Sequence, residues 1–151
     1  MSAQSITRRL TQSDLAKLYQ AGEKIVMFTC YDASFARLLD GAGVESLLIG
    51  DSLGNVIQGH DTTLPVTVAD IAYHVAAVKR GSDRPFIIAD MPFGSYQEAP
   101  EQAFRNAARI MKEAAPSAAS SPPSGLKVPF CGTAKVARVS QSASSAGSSK
   151  A

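Results

Sequence analysis

Tryptophan is absent from this 151-residue chain, and histidine and cysteine occur only twice each. Cys30 lies in an apolar run and Cys131 far beyond it, so the pair makes no disulfide framework. His60 and His74 leave little choice for any histidine-based catalysis. No stretch approaches the ~20 apolar residues needed to span a bilayer, so no membrane segment is expected. The N-terminal MSAQSITRRLTQSDLAKLYQ has no apolar h-region, which argues against a secretory signal and for a cytoplasmic location. Acid is the most informative shortage, because all 13 Asp and Glu lie at or before Glu113. Residues 1–115 set 11 Lys/Arg against those 13 acids for a net of −2, whereas residues 116–151 carry 4 Lys/Arg and no acid, a net of +4. That last segment holds 10 Ser, 7 Ala and 4 Pro, too little large apolar surface to offset the entropy of ordering it. The sequence therefore divides into a globular part, 1–115, and a tail, 116–151, that is disordered or read out of frame. A net of −2 gives the globular part no basic footprint for nucleic acid, and the expected partner is a small molecule.

Along the globular part, strand-like and helix-like segments alternate. Thr11-Gln-Ser-Asp14 has the form of a capping box and opens a short helix carrying Leu15, Leu18 and Tyr19 on one face, closed by Gly22. Residues 24–29 (KIVMFT) read as a strand, followed by a helix from Asp32 to Leu39 with Phe35, Leu38 and Leu39 on its apolar face. Residues 46–50 (SLLIG) are a second strand, and Thr67-Val-Ala-Asp70 is a second capping box that starts a helix running to about Arg80. Residues 85–89 (PFIIA) are a third strand, leading to a helix from Pro100 whose apolar face is Ala103, Phe104, Ala107, Ile110, Met111 and Ala114. Strands apolar throughout, alternating with helices, predict a parallel sheet covered on both faces. Thr29-Cys-Tyr-Asp32 stands where a dinucleotide-binding fold would carry its glycines, which leaves the (β/α)8 barrel as the expected class.

Barrel enzymes place their chemistry at the C-terminal ends of the strands. Here the three strands end in Tyr31-Asp32, Asp51-Ser52 and Asp90. Carboxylates converging on one mouth suit an oxygen-ligated divalent cation such as Mg²⁺. Asp32, directly before a helix, is read as a cap, whereas Asp51 and Asp90, each followed by a long loop, are read as site residues. Gly50-Asp51-Ser52-Leu53-Gly54 also fits the G-x-S-x-G nucleophile elbow. A serine nucleophile needs a histidine base, normally late in the chain, and nothing after residue 74 is histidine, so serine hydrolysis is set aside.

A longer pattern is more specific than either. Leu48-Ile-Gly-Asp-Ser-Leu-Gly-Asn-Val-Ile-Gln-Gly-His-Asp-Thr-Thr-Leu-Pro-Val-Thr-Val-Ala-Asp-Ile-Ala-Tyr-His74, with Thr29-Cys-Tyr-Asp-Ala-Ser-Phe-Ala36, Ala89-Asp-Met-Pro-Phe93 and Pro100-Glu-Gln-Ala-Phe104, closely resembles the ketopantoate (3-methyl-2-oxobutanoate) hydroxymethyltransferase family over about residues 10–115. The resemblance implies a (β/α)8 barrel of pantothenate biosynthesis, homo-oligomeric in the family. Its reaction moves a hydroxymethyl group from 5,10-methylenetetrahydrofolate to 3-methyl-2-oxobutanoate, giving 2-dehydropantoate through a Mg²⁺-stabilised enolate. By the same resemblance Asp51 and Asp90 are metal ligands, and Asp51, Ser52 and Asp90 contact the 2-oxo acid. The family's general-base glutamate lies beyond the matching region, so no catalytic base is assigned in this chain. A fourth strand of the type Val-Lys-(Ile/Leu)-Glu-Gly-Gly should supply a substrate-binding lysine and a glutamate near the metal, but the chain reads Pro116-Ser-Ala-Ala-Ser-Ser-Pro-Pro-Ser124 there. About three β/α units are thus expected of a barrel that takes roughly 250 residues, and poor folding or aggregation follows from the open edges. Two alternatives stand beside hydroxymethyl transfer: a catalytically dead fragment with at most a binding role, and another Mg²⁺-dependent 2-oxo-acid enzyme of the phosphoenolpyruvate mutase/isocitrate lyase group. If residues 116–151 are out of frame, one of the other two frames past residue 115 encodes a Val-Lys-x-Glu-Gly-like strand. Nucleotide sequencing checks this, and its absence from both frames would leave a genuine low-complexity tail.

Overall fold

The computed structural model describes residues 7–120. Nine elements follow one another in this span: α1 (Gln12–Gln20), β1 (Met27–Thr29), α2 (Ala33–Gly41), β2 (Ser46–Ile49), α3 (Leu53–Val56), α4 (Val68–Gly81), β3 (Phe86–Asp90), α5 (Pro100–Ala114) and β4 (Ala118–Ser120). Both capping boxes form as the sequence predicts. Thr11 accepts from the Asp14 N–H while Asp14 reaches back to Thr11, and Thr67 and Asp70 do the same at α4. Asp14 is further gripped by Arg8, which with Thr11 holds its carboxyl well below the usual carboxylate range.

The four strands lie in the order β1-β2-β3-β4, all parallel. A doubly wound sheet reverses its order at a switch point; this one does not. With right-handed crossovers, an unreversed order puts every helix on the same face, and α4 accordingly packs between α2 and α5. The register sorts the side chains. Leu47, Ile49, Ile87 and Ala89 point to the helices and are fully buried, in one core with Ala36, Leu39, Ile71, Val75, Val78, Ala103, Ala107 and Ile110. Met27, Thr29, Ser46, Leu48, Phe86, Ile88 and Asp90 share the other face. This is a (β/α)8-type wall, as expected, with α2, α4 and α5 side by side along it and the Leu47, Ile49, Ile87 and Ala89 face packed into their core. No helix among the described residues is long and apolar enough to cross a membrane.

The structure also adds a strand. β4 lies within the segment expected to be tail, so the fold runs past residue 115 to at least residue 120 and has four strands rather than three. Ala-Ala-Ser has weak strand propensity, and tertiary pairing overrides it. Ser117 N–H donates to Ile87 O, the Ile87 N–H donates to Ser117 Oγ, and Met91 N–H donates to Ser120 O. The turn into β4 is made by Ala115 in the left-handed region at φ 45°, a conformation costing a non-glycine residue about 1 kcal/mol. Residues 121–151, the remainder of the expected tail, lie outside the described residues. Three apolar faces are narrower than their periodicity implies. Tyr19, Phe35, Leu38, Phe104 and Met111 are all exposed, while Leu18, Ala36, Leu39, Ala103 and Ala107 carry the packing.

Helices α2 and α4 meet backbone to backbone at Gly81, where an added Cβ would lie 2.2 Å from the Ala33 carbonyl oxygen. Gly81→Ala is therefore expected to destabilise the fold by about 1–3 kcal/mol through overpacking, measured as a lowered midpoint in urea unfolding.

Candidate functional site at the strand C-termini

The register carries β2 and β3 to their C-terminal ends side by side, Ile49 opposite Ala89, so Gly50 emerges next to Asp90. Gly50 has no side chain, and a Cβ there would sit 3.8 Å from Ser52 Oγ and 3.9 Å from Asp90 Cβ. The glycine thus leaves a floor shared by Ser52 and Asp90. Ser52 occupies the position before α3 but caps nothing; its hydroxyl bonds the Tyr31 phenol across the mouth at 2.6 Å. Tyr31 in turn is fixed through its backbone, whose carbonyl lies 2.7 Å from His74 Nδ1. His74 therefore holds the end of β1, and the partner of Ser52 is a phenol rather than an imidazole. That geometry agrees with setting serine hydrolysis aside.

Asp32 behaves as the helix cap it was read to be. Its Oδ1 accepts from Ser34 N at 2.8 Å and Phe35 N at 2.9 Å. Asp51 and Asp90 have no such duty. Burial pushes the Asp90 carboxyl above its usual range; donation from Ser120 Oγ at 2.9 Å works against this, and the charge of Asp51 adds to it. Buried Tyr96 is raised too, by burial first and then by the charges of Asp90 and Asp51. Asp51, Asp90 and Tyr96 thus share one electrostatic neighbourhood, and Ser52 joins it through Gly50.

Could this neighbourhood hold a cation? Among the described residues no group of three or more His, Cys, Asp or Glu side chains is arranged for a metal. A buried Asp90 carboxyl with the charge of Asp51 beside it nonetheless fits Mg²⁺, which keeps several waters and commonly takes one or two protein carboxylates plus oxygens of the substrate. Neither carboxylate is engaged by a Lys or Arg among the described ion pairs.

Three contributors were not assigned from the sequence. Tyr31 was visible only as a strand-end residue, Tyr96 lies in a loop with no periodicity, and Ser120 sits in the segment read as tail. Nothing in local pattern marks them; each enters through the sheet register or a long-range contact. The lysine and glutamate that the resemblance expects on a fourth strand have no counterpart in β4, where small side chains lead up to Ser120. A separate cleft of about 250 Å³ opens between Val66 and Val68 on one side and Phe93, Ser95 and Asn106 on the other, and none of Asp51, Ser52 or Asp90 lines it.

Comparison with known proteins bears on the whole span. The family model for ketopantoate hydroxymethyltransferase matches residues 9–120, ending on the last residue of β4. A 3-methyl-2-oxobutanoate hydroxymethyltransferase of Dechloromonas aromatica is 87% identical over 111 residues, covering 74% of this chain and 41% of that protein. One from Azoarcus sp. (strain BH72) is 63% identical over 102 residues, covering 68% and 38%. The chain therefore spans about two fifths of the length of these curated relatives. Among solved structures, a protein assigned as a phosphonomutase from Burkholderia cenocepacia superposes with a TM-score of 0.50 at 21% identity, covering 66% of this chain and 40% of that one, a likeness of fold alone.

Asp90→Asn removes the charge that opposes Asp51 while keeping an oxygen for Ser120. It is expected to leave the cation-free thermal midpoint unchanged or higher, read by differential scanning calorimetry; a marked fall would show that the Asp90 charge supports the fold.

Proposed function

Because this chain belongs to the ketopantoate hydroxymethyltransferase family, a family of biosynthetic enzymes, we propose that its strand ends form the metal- and oxo-acid-binding half of a hydroxymethyl-transfer site. The observation that carries the reading is the shared floor of Asp51, Ser52 and Asp90 around Gly50. In this reading 3-methyl-2-oxobutanoate is the acceptor and 5,10-methylenetetrahydrofolate the one-carbon donor, with 2-dehydropantoate as product.

The chemistry assigns each residue a task. Asp51 and Asp90 would hold Mg²⁺, an ion commonly bound by one or two protein carboxylates together with oxygens of the substrate. Bound there, Mg²⁺ supplies Lewis acidity that makes the C3 proton of the oxo acid easier to remove. Ser52 donates to a substrate oxygen, and Tyr31 fixes the direction of that donation by holding the hydroxyl at 2.6 Å. Tyr96, itself buried, lies close enough to the two carboxylates to feel their charge. Removal of the C3 proton needs a base, and no residue of this floor serves: Asp51 and Asp90 would be committed to the cation, and Ser52 and Tyr31 present hydroxyl donors. The glutamate and lysine that the family resemblance calls for do not occur in β4.

The chain is therefore expected to bind and not to turn over at a useful rate. Purified chain with Mg²⁺ should take up 3-methyl-2-oxobutanoate in calorimetry, and a hundredfold excess of a ligand over its Kd should stabilise the fold by about 2.7 kcal/mol. Asp51→Asn should abolish both effects. With methylenetetrahydrofolate added, formation of 2-dehydropantoate should run about 10²–10⁴-fold below that of a full-length relative, the usual contribution of a positioned base. Turnover equal to the relative's would place the base within this chain, and absence of Mg²⁺-dependent uptake would sink the reading of the site.

A further inference from the structure

The described wall has four parallel strands in sequential order, and an eight-stranded barrel has twice that number. Among the described residues its first strand is exposed on both faces and along one rim. Ile25, Val26, Met27 and Phe28 are 36–55% exposed, and since successive residues of a strand point to opposite faces, both faces of this edge meet solvent. Its rim is open as well. Val26 O accepts from Ser46 N and Cys30 N donates to Leu48 O, so in a parallel ladder the intervening Met27 and Thr29 turn their backbone N–H and C=O groups away from β2. At the other end β4 pairs, among the described residues, with β3 alone and presents Ala118, Ala119 and Ser120, small and without charge.

We propose that two copies of the 151-residue chain close into one eight-stranded barrel, the β1 edge of each copy pairing with the β4 edge of the other. The occupant of the bare edge is thus a second copy of this chain. Strand direction allows it: a two-fold axis along the barrel leaves all eight strands parallel, and two head-to-tail contacts related by that axis make a closed ring rather than a filament. The stagger allows it too. A barrel shear of eight residues shared between two identical halves is about four residues per copy. Since Thr29 and Ala118 lie in the same sheet row, that stagger sets Ala118, Ala119 and Ser120 of one copy beside Ile25, Val26 and Met27 of the other. The opposite stagger would fall on α2, which is helical and cannot pair. Shear thus accounts for an apolar run that starts two residues before β1 itself. Closure also gives the inner-face residues Met27, Leu48 and Ile88 the opposing strands that fill a barrel centre.

Two measurements on the full chain test this. Size-exclusion chromatography with light scattering should give twice the chain mass of 15.8 kDa. Phe28→Asp and Met27→Asp, both on the exposed edge, should raise the dimer dissociation constant at least tenfold with circular dichroism retained. Tyr73→Asp, at 69% exposure on the outer face of α4, should leave it unchanged. Within one chain Val26 and Ala119 sit three strand spacings apart, roughly 14 Å, beyond the reach of a disulfide. Val26→Cys with Ala119→Cys, in a Cys131→Ser background, should therefore oxidise to a covalent dimer and stop there. A monomer at all concentrations, a ladder of larger species, or loss of the dimer in Tyr73→Asp would each overturn the proposal. So would a chain that stays monomeric alone and associates only with the remaining three fifths of a full-length relative.

Discussion

Parallel pairing of β2 with β3 is the constraint on which the rest depends. It joins residues forty positions apart in one row, and everything chemical follows from where the two strands end. Pairing aligns Gly50 with Asp90, sends Asp51 and Ser52 into the same mouth, and leaves α4, the crossover between the strands, lying on the outer face. α4 then fixes its neighbours. Gly81 admits α2 to backbone contact, Ile71, Val75 and Val78 seal the outer face of the sheet, and His74 reaches the carbonyl of Tyr31. Site and scaffold are in this sense one interaction read at two ends of the same strands.

Much of this architecture was legible in the sequence because its signals are local. Capping boxes declare helix starts within four residues, and the apolar strands between them could be covered only in a parallel sheet. Asp51, Ser52 and Asp90 were legible as strand-end residues before any contact was known. What stayed hidden was set by distance in the chain. β4 has no propensity of its own and exists through its register with β3; Ser120 reaches Asp90 for that reason alone. The exposed faces of Phe35, Leu38 and Phe104 were misjudged for a related cause. A helix in a barrel wall buries only the narrow stripe that touches the sheet and the adjacent helices, and small residues such as Ala36, Ala103 and Ala107 fill it.

Charge tells the complementary story. Burial and mutual repulsion raise the proton affinity of the Asp90 carboxyl, whereas Asp14, with Arg8 and Thr11 to satisfy it, is held low. Both are acids in the same fold, and the contrast separates a carboxylate that supports the structure from one that the structure supports at some cost. A carboxylate at a half-buried strand end, with no Lys or Arg among the described ion pairs, is stabilised by any positive group that binds beside it, and the proposed function rests on that.

Asp32 and Asp51 show how small the distinction can be. Each is an aspartate just past the end of an apolar strand, and each is followed by a helix. After β1 the helix begins at once, so Asp32 is drawn onto its first N–H groups. After β2 the short helix α3 begins one residue later, with Ser52 and not Asp51 at its N-cap position, and the next full helix waits until Val68, so Asp51 is not drawn onto helix N–H groups. Spacing, and not residue identity, sorts the two. An evolutionary change that trades chemistry for stability at this site need not alter a single functional residue; a deletion that brings a helix start up against Asp51 would retire it into the scaffold with its sequence intact.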